Sequence, residues 1–118
     1  MMKYDLENRL IEFANEVISF TERQPQRYAV KILANQLLRS CTSPALNYAE
    51  AQAAESKRDF VHKMKICLKE LRETQVILRI LEKRPYVDSE KIQNLDNECD
   101  QLIQIFVKSI ATTKASAA

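Results

Sequence analysis

The sequence predicts an all-α fold: an antiparallel up-down-up-down four-helix bundle in a single domain spanning residues 1–118. Three observations support this prediction. Apolar residues recur at spacings of three and four in four long stretches, whereas no stretch alternates as a strand does. Short segments with Pro or polar clusters separate the stretches, as expected for helices joined by short connections. The chain also lacks Gly, which argues against phosphate-binding loops, nucleophile elbows and tight hairpin turns.

The first helix is expected over about residues 5–23, where one side is apolar and the other polar. Its apolar residues are Leu6, Leu10, Phe13, Val17 and Phe20. Gln24 should end the helix, because a residue that precedes Pro is driven out of the helical region.

The second helix is expected over about residues 26–55, with an irregularity near Pro44. Two outcomes compete there: the helix kinks around the Pro ring, or it ends and restarts with Ser43 as the N-cap. We favour a kinked or restarted helix that keeps roughly the same direction, because helical composition resumes at Ala45.

The third and fourth helices are expected over about residues 56–83 and 88–112. Ser56 and Asp59 have the spacing of a capping box, and Asp88 or Ser89 can cap the last helix. Pro85 should end the third helix. The tail after about residue 112 has little to bury and should fray.

The third helix presents three faces when its residues are placed at about 100° per step. The core stripe contains Phe60, Met64, Cys67, Leu68, Leu71, Thr74, Leu78 and Leu81. The opposite side gathers a basic stripe: Arg58, His62, Lys65, Lys69, Arg72, Arg79 and Lys83. On one shoulder between them lie Ile66, Glu70, Glu73, Ile77 and Ile80. This shoulder makes the apolar surface wider than one core-facing seam requires, so we predict an oligomer interface there.

The composition is that of an ordinary globular protein, with 46% apolar and 29% charged residues. The net charge of +2 is too small to identify a partner. Cys41, Cys67 and Cys99 are widely separated and form no CxxC pair, so we expect small buried residues in a reducing compartment. No signal peptide or membrane-spanning run is visible, which predicts a cytoplasmic protein without membrane contact.

Catalytic and metal chemistry find little support in the residues. The single His62 cannot supply the Glu-x-x-His pairs of di-iron bundles, and the cysteines have no acid–base partner nearby in sequence. Glu70 and Glu73 could bind a cation, but helical glutamates beside Lys and Arg more often form salt bridges. We therefore predict no enzyme, no metal and no cofactor.

A polar cluster interrupts the second helix, and its members are Arg39, Ser40, Thr42, Ser43, Asn47 and Glu50. In the structural interpretation, the short side chains bond to backbone groups freed at Pro44, while Arg39 and Glu50 form ion pairs within or between subunits. The functional interpretation is a ligand or nucleic-acid contact. The spacing does not decide between them.

The basic stripe also has two interpretations. It is either a solvated helix face or a surface for the phosphate backbone of RNA or DNA, where aligned Lys and Arg release counterions. No aromatic residues are interleaved with the cations, so binding would be to backbone or shape rather than to stacked bases.

Two runs resemble the four-helix bundle proteins also called 23S rRNA intervening-sequence proteins. The run from Ala34 to Ala51 contains QLLRS, TS, N and EA elements, and the run from Ala54 to Thr74 contains AES, DF, K and KE-x-x-ET elements. The matching residues are Gln36, Leu37, Leu38, Arg39, Ser40, Thr42, Ser43, Asn47, Glu50, Ala51, Ala54, Glu55, Ser56, Asp59, Phe60, Lys63, Lys69, Glu70, Glu73 and Thr74. Together with the flanking helices, the similarity covers nearly the whole chain.

The resemblance implies a ring-shaped homopentamer of antiparallel four-helix bundles, encoded in some bacteria within an rRNA intervening sequence. It also implies kinship with the accessory variability determinant of diversity-generating retroelements, a basic pentamer that binds nucleic acid and partners a reverse transcriptase. It transfers no catalytic residues.

We therefore predict a non-enzymatic, oligomeric bundle that binds nucleic acid, with structured RNA as the expected ligand. The residues predicted to bind it are Arg58, Lys65, Lys69, Arg72 and Arg79. The alternative is a protein-interaction scaffold or an accessory subunit of a nucleic-acid enzyme such as a reverse transcriptase. In that case, the basic face would match an acidic surface of the partner protein.

Overall fold

Four helices account for the regular structure of the chain in a computed structural model that describes residues 3–116, with side chains from residue 5 onwards. The helices are α1 (Lys3–Glu22), α2 (Tyr28–Gln52), α3 (Lys57–Glu82) and α4 (Ser89–Ala115). Their bounds lie within three residues of the expected ones. The largest differences are at the C-terminal ends of α2 and α4, since α4 continues to Ala115 where a frayed tail was expected.

The helices stand at the corners of a square and form a rod of 51 × 20 × 20 Å. Each helix packs against its two neighbours in the order α1–α2–α3–α4–α1, and across residues 3–116 the backbones of the diagonal pairs stay apart. At one end, the first and third connections meet, because the Arg27 guanidinium lies 4.2 Å from the centre of the Tyr86 ring. The predicted all-α, up-down-up-down antiparallel bundle is therefore confirmed.

The core fills the centre of this square with one apolar face from each helix. The Tyr48 ring of α2 and the Phe106 ring of α4 meet edge to face across the diagonal, with centroids 6.0 Å apart. Leu10 of α1 and Leu78 of α3 are almost completely buried in the same core. Burying one such side chain stabilises the fold by about 1.5–3 kcal/mol, so packing rather than helix propensity holds the bundle together.

The side from α1 to α4 joins the two helices that are farthest apart in sequence. Its main polar link is a bidentate ion pair, in which Arg9 Nε lies 2.7 Å from Glu98 Oε2 and Arg9 Nη2 lies 2.9 Å from Glu98 Oε1. The hydrogen bonds that Arg9 donates to Glu98 raise the pKa of Arg9. Arg9 also donates to the Gln101 side chain at 2.7 Å, so one guanidinium connects two turns of α4 to α1.

The starts of α3 and α4 follow from their capping residues. Ser56 Oγ accepts a hydrogen bond from the Asp59 backbone N–H at 3.0 Å. Asp88 Oδ1 accepts from the Glu90 and Lys91 N–H groups at 3.0 and 3.3 Å, so Asp88 and not Ser89 is the N-cap of α4.

Pro44 lies inside α2 and does not end it. The alternative of a new helix starting at Ser43 is therefore wrong. Pro44 is buried, and so are Cys41 before it and Tyr48 after it, so α2 packs against the core on both sides of the Pro. Pro removes one backbone hydrogen bond. The free energy lost with this bond is smaller than the free energy of apolar burial that would be lost if either half of α2 turned away from the core.

Candidate nucleic-acid interface

The outer face of α3 carries a row of cations along its first two thirds. Arg58, Lys65, Lys69 and Arg72 are all exposed, and His62 is exposed on the same face. Among residues 3–116, none of the four cations has an ion-pair partner. They span about 21 Å of helix at 1.5 Å per residue. This row and Lys83, the exposed residue after the end of α3, are the cations of the predicted basic stripe without an ion-pair partner among residues 3–116.

Arg79 belongs to the predicted stripe but has a carboxylate of its own. Its Nε lies 3.0 Å from Asp96 Oδ2 and its Nη2 lies 3.4 Å from Asp96 Oδ1. The hydrogen bond and charge of Asp96 raise the pKa of Arg79. The side chain is still 57% exposed, but Asp96 neutralises much of its field. Arg79 is thus a weaker candidate for binding phosphate than the other four.

The last third of the outer face of α3 also exposes apolar side chains. Val76 is 57% exposed and Ile80 is 46% exposed. Tyr28 and Ile32 are also exposed, near the start of α2, which lies at the same end of the bundle because α2 and α3 are antiparallel. These exposed apolar residues are therefore concentrated at the end of the bundle away from Arg58 and Lys65. Val76 was not predicted from the sequence as part of this face, although it continues the stripe four residues after Arg72.

The predicted oligomer interface is only partly accessible in one subunit. Ile80 is exposed, and Ile66 and Glu73 are half-buried. Ile77 and Glu70 are buried, at 4% and 8% exposure. The reason is that α2 covers this shoulder of α3, so much of its apolar surface is already used within the chain.

The charged members of the polar cluster form ion pairs between α2 and α3. Arg39 Nη1 lies 3.2 Å from Glu70 Oε1, and Arg39 Nη2 contacts Glu73. Glu50 accepts from Lys63 Nζ at 2.7 Å. The ion pairs with Arg39 explain why Glu70 and Glu73 can lie at the contact between α2 and α3.

The uncharged members of the cluster also have partners within the chain. Ser40 and Thr74 are fully buried, and their hydroxyl oxygens are 2.8 Å apart. The Thr42 hydroxyl donates to the carbonyl four residues earlier at 2.8 Å. The Asn47 amide donates to the carbonyl and hydroxyl of Ser43 at 3.0 and 2.9 Å. These contacts favour the structural interpretation of the cluster.

A shallow depression of about 560 Å³ opens where the start of α3 meets the end of α4. It is lined by Lys57, Arg58, Val61, His62, Lys65 and Lys114. The ammonium of Lys57 donates to the Ser116 carbonyl at 2.7 Å, which fixes it beside the end of α4. Lys57 and Lys114 could not be predicted as site residues from the sequence, because helical periodicity does not reveal which residues of α4 face α3.

The described residues offer little for other chemistry. Between residues 3 and 116, no group of three or more His, Cys, Asp and Glu side chains could hold a metal ion. Burial raises the pKa of Cys41, Cys67 and Cys99 from 9.0 to about 12, so these thiols are poor nucleophiles. No helix in the described part of the chain combines the length and apolarity needed to cross a membrane.

Comparison with known proteins identifies a family and a solved structure of similar fold. A family model described as 23S rRNA-intervening sequence protein matches residues 2–108. Among curated proteins, none is detectably similar. A crystal structure of a protein with unknown function from the S23 ribosomal protein family of Bacteroides thetaiotaomicron is 27% identical, with a TM-score of 0.82. The match covers 89% of this chain and 97% of that chain.

Proposed function

This chain belongs to the 23S rRNA-intervening sequence protein family, and from that premise we propose that it is a non-enzymatic, oligomeric bundle that binds structured RNA. The observation that supports RNA binding is the row of four exposed cations without ion-pair partners on α3. Aligned Lys and Arg bind a phosphate backbone by releasing its counterions, whatever the base sequence. The bound surface consists mainly of Arg58, Lys65, Lys69 and Arg72, with Arg79 in a lesser role.

Oligomerisation would make this modest surface effective. The exposed apolar residues Val76 and Ile80, next to the row of cations, favour contact with a second copy of the chain. Two neighbouring subunits would together present about eight cations to one RNA. A protein that makes six to ten phosphate contacts binds about 10³–10⁵ times more weakly at 200 mM salt than at 50 mM salt, so we expect a salt dependence of this size. A closed ring, the pentamer that the family resemblance implies, would repeat the row around its circumference.

RNA binding is tested by reversing charge in the middle of the row. We expect the triple variant Lys65→Glu, Lys69→Glu, Arg72→Glu to lose retention of a structured RNA at low salt, measured by filter binding. The three side chains are exposed, so the circular dichroism spectrum and the melting temperature should stay close to those of the unaltered protein.

A matched control separates the position of the charges from their number. Arg23→Glu, Lys31→Glu, Lys91→Glu changes net charge by the same amount at exposed positions away from the row. It should lower affinity only slightly. If both triple variants bind RNA as well as the original protein does, the row is not an RNA surface. Equal losses in both would mean that net charge alone attracts RNA.

The same apolar residues support a second candidate function, a scaffold for a protein partner. In that case, Val76→Ser, Ile80→Ser would abolish binding of the partner and leave RNA retention intact. If the altered protein instead becomes monomeric in sedimentation and binds RNA less tightly, the patch joins copies of the chain.

A further inference from the structure

We infer that the RNA-binding surface continues from α3 onto the end of α4, so that backbone phosphates of the RNA enter the depression between Lys57, Arg58, Lys65 and Lys114. This inference rests on the proposed function and deepens it, because it specifies the path of the RNA on the subunit. The ligand group is a phosphate of the nucleic-acid backbone.

The composition of the depression fits a phosphate. Four of the six lining residues are Lys or Arg, the other two are Val61 and His62, and no carboxylate is among them. The four cations come from two helices, so a group entering the depression would meet positive charge from two sides. A volume of about 560 Å³ accommodates a phosphate with its attached sugars.

The contacts around Lys57 leave it able to bind an anion. An ammonium group has three donors. Lys57 uses one of them to donate to the Ser116 carbonyl. Its positive charge thereby offsets part of the negative dipole at the end of α4. Among residues 3–116, the other two donors have no hydrogen-bond partner, so they can face the depression. Lys57 is also the first residue of α3, where the helix dipole is positive.

The other directions along α3 are less favourable for phosphate. Towards the C-terminal end of the row, Val76 and Ile80 are apolar and Arg79 is bonded to Asp96. The next unpaired cation in that direction, Lys83, lies about 16 Å along the helix from Arg72. Towards α2, the Lys63 ammonium is bonded to Glu50. Towards α4 at the N-terminal end, Lys114 is exposed and has no ion-pair partner among residues 3–116. A chain of phosphates that follows the row from Arg72 therefore meets its next free cation on α4.

The salt dependence of RNA affinity tests this path. Each phosphate contact contributes about 0.7–0.9 to the slope of log K against log salt concentration. Lys114→Gln should reduce the slope by about that amount for each subunit in contact with the RNA. At 50 mM salt, the affinity should fall roughly tenfold per contact. Lys114→Arg keeps the charge and should restore both values.

Matched control variants show whether the change in slope depends on the position of the removed charge. Lys31→Gln removes one exposed charge from α2, and Lys91→Gln removes one from the start of α4; both should leave the slope unchanged. Lys57→Gln should reduce it as Lys114→Gln does. Because Lys57 and Lys114 are exposed, neither change should alter the helical content, and circular dichroism checks this.

The outcomes separate this inference from the proposed function. If Lys69→Gln and Arg72→Gln reduce the slope but Lys57→Gln and Lys114→Gln do not, the RNA does not reach α4 and the inference is wrong. If none of the four changes the slope, the proposed function fails as well. If Arg79→Gln reduces the slope while Lys114→Gln does not, the RNA runs along α3 in the opposite direction.

Discussion

The buried hydroxyl pair between α2 and α3 makes a quantitative prediction about stability. Ser40 and Thr74 are both 0% exposed, and their oxygens lie 2.8 Å apart. The Thr74 hydroxyl also lies 2.9 Å from the Glu70 carbonyl, and the Ser40 hydroxyl lies 3.3 Å from the Leu37 carbonyl. When either partner is removed, the remaining hydroxyl therefore keeps one acceptor.

These distances set the expected free energies. Ser40→Ala and Thr74→Val each remove the shared hydrogen bond, which is worth about 1 kcal/mol, without leaving an orphaned donor that would cost up to about 3 kcal/mol. The double variant loses the shared bond only once. It should therefore cost about 1 kcal/mol rather than the 2 kcal/mol expected from adding the single changes, which gives a coupling energy of about 1 kcal/mol.

The free energies of unfolding of the original protein, the two single variants and the double variant are measured by urea unfolding monitored with circular dichroism. All four are measured at one protomer concentration, because self-association would shift the midpoint. Thr113→Val provides the matched control, since the Thr113 hydroxyl bonds only within α4, to the Ser109 carbonyl at 2.9 Å. Ser40→Ala combined with Thr113→Val should be additive. Additivity in the Ser40 and Thr74 pair as well would show that the two hydroxyls do not stabilise each other, and the reasoning would be wrong.

Three further predictions concern stability and its dependence on pH. Burial raises the pKa of the three thiols from 9.0 to about 12, so the native state keeps protons that the unfolded chain releases. The free energy of unfolding, measured in urea, should be constant below pH 9.0 as far as the thiols are concerned, and fall as pH rises towards 12. Ser56→Ala and Asp88→Ala each remove an N-cap and should cost about 1 kcal/mol, whereas Ser89→Ala should be neutral. Arg39→Ala leaves the buried Glu70 without its cation and should lower the melting temperature more than Glu73→Gln does.

The positions of the helices could be predicted because their signals are local. Apolar spacing along each stretch, the Pro residues in the connections and the capping residue Asp88 all act over a few positions. The same local reasoning left Pro44 ambiguous. Whether a helix continues through Pro depends on how firmly its two halves are held by other helices, and that information lies elsewhere in the chain.

The candidate site was harder to predict because it depends on the register between helices. A helical projection identifies Arg79 as part of the basic stripe, but it cannot show that Asp96, seventeen residues later, neutralises it. Nor can it show that Lys114 lines the same depression as Lys65. The shoulder of α3 illustrates the same limit, since α2 buries Ile77, which the projection left exposed for a partner.

The even number of helices has a practical consequence for handling the protein. Because α1 and α4 are antiparallel, the start of α1 and the end of α4 lie at the same end of the rod, beside the depression, where Lys57 holds the Ser116 carbonyl. A bulky group attached next to Lys3 or Ser116 would crowd that opening. A reporter inserted into one of the two connections at the far end, where Arg27 and Tyr86 meet, would leave the opening accessible.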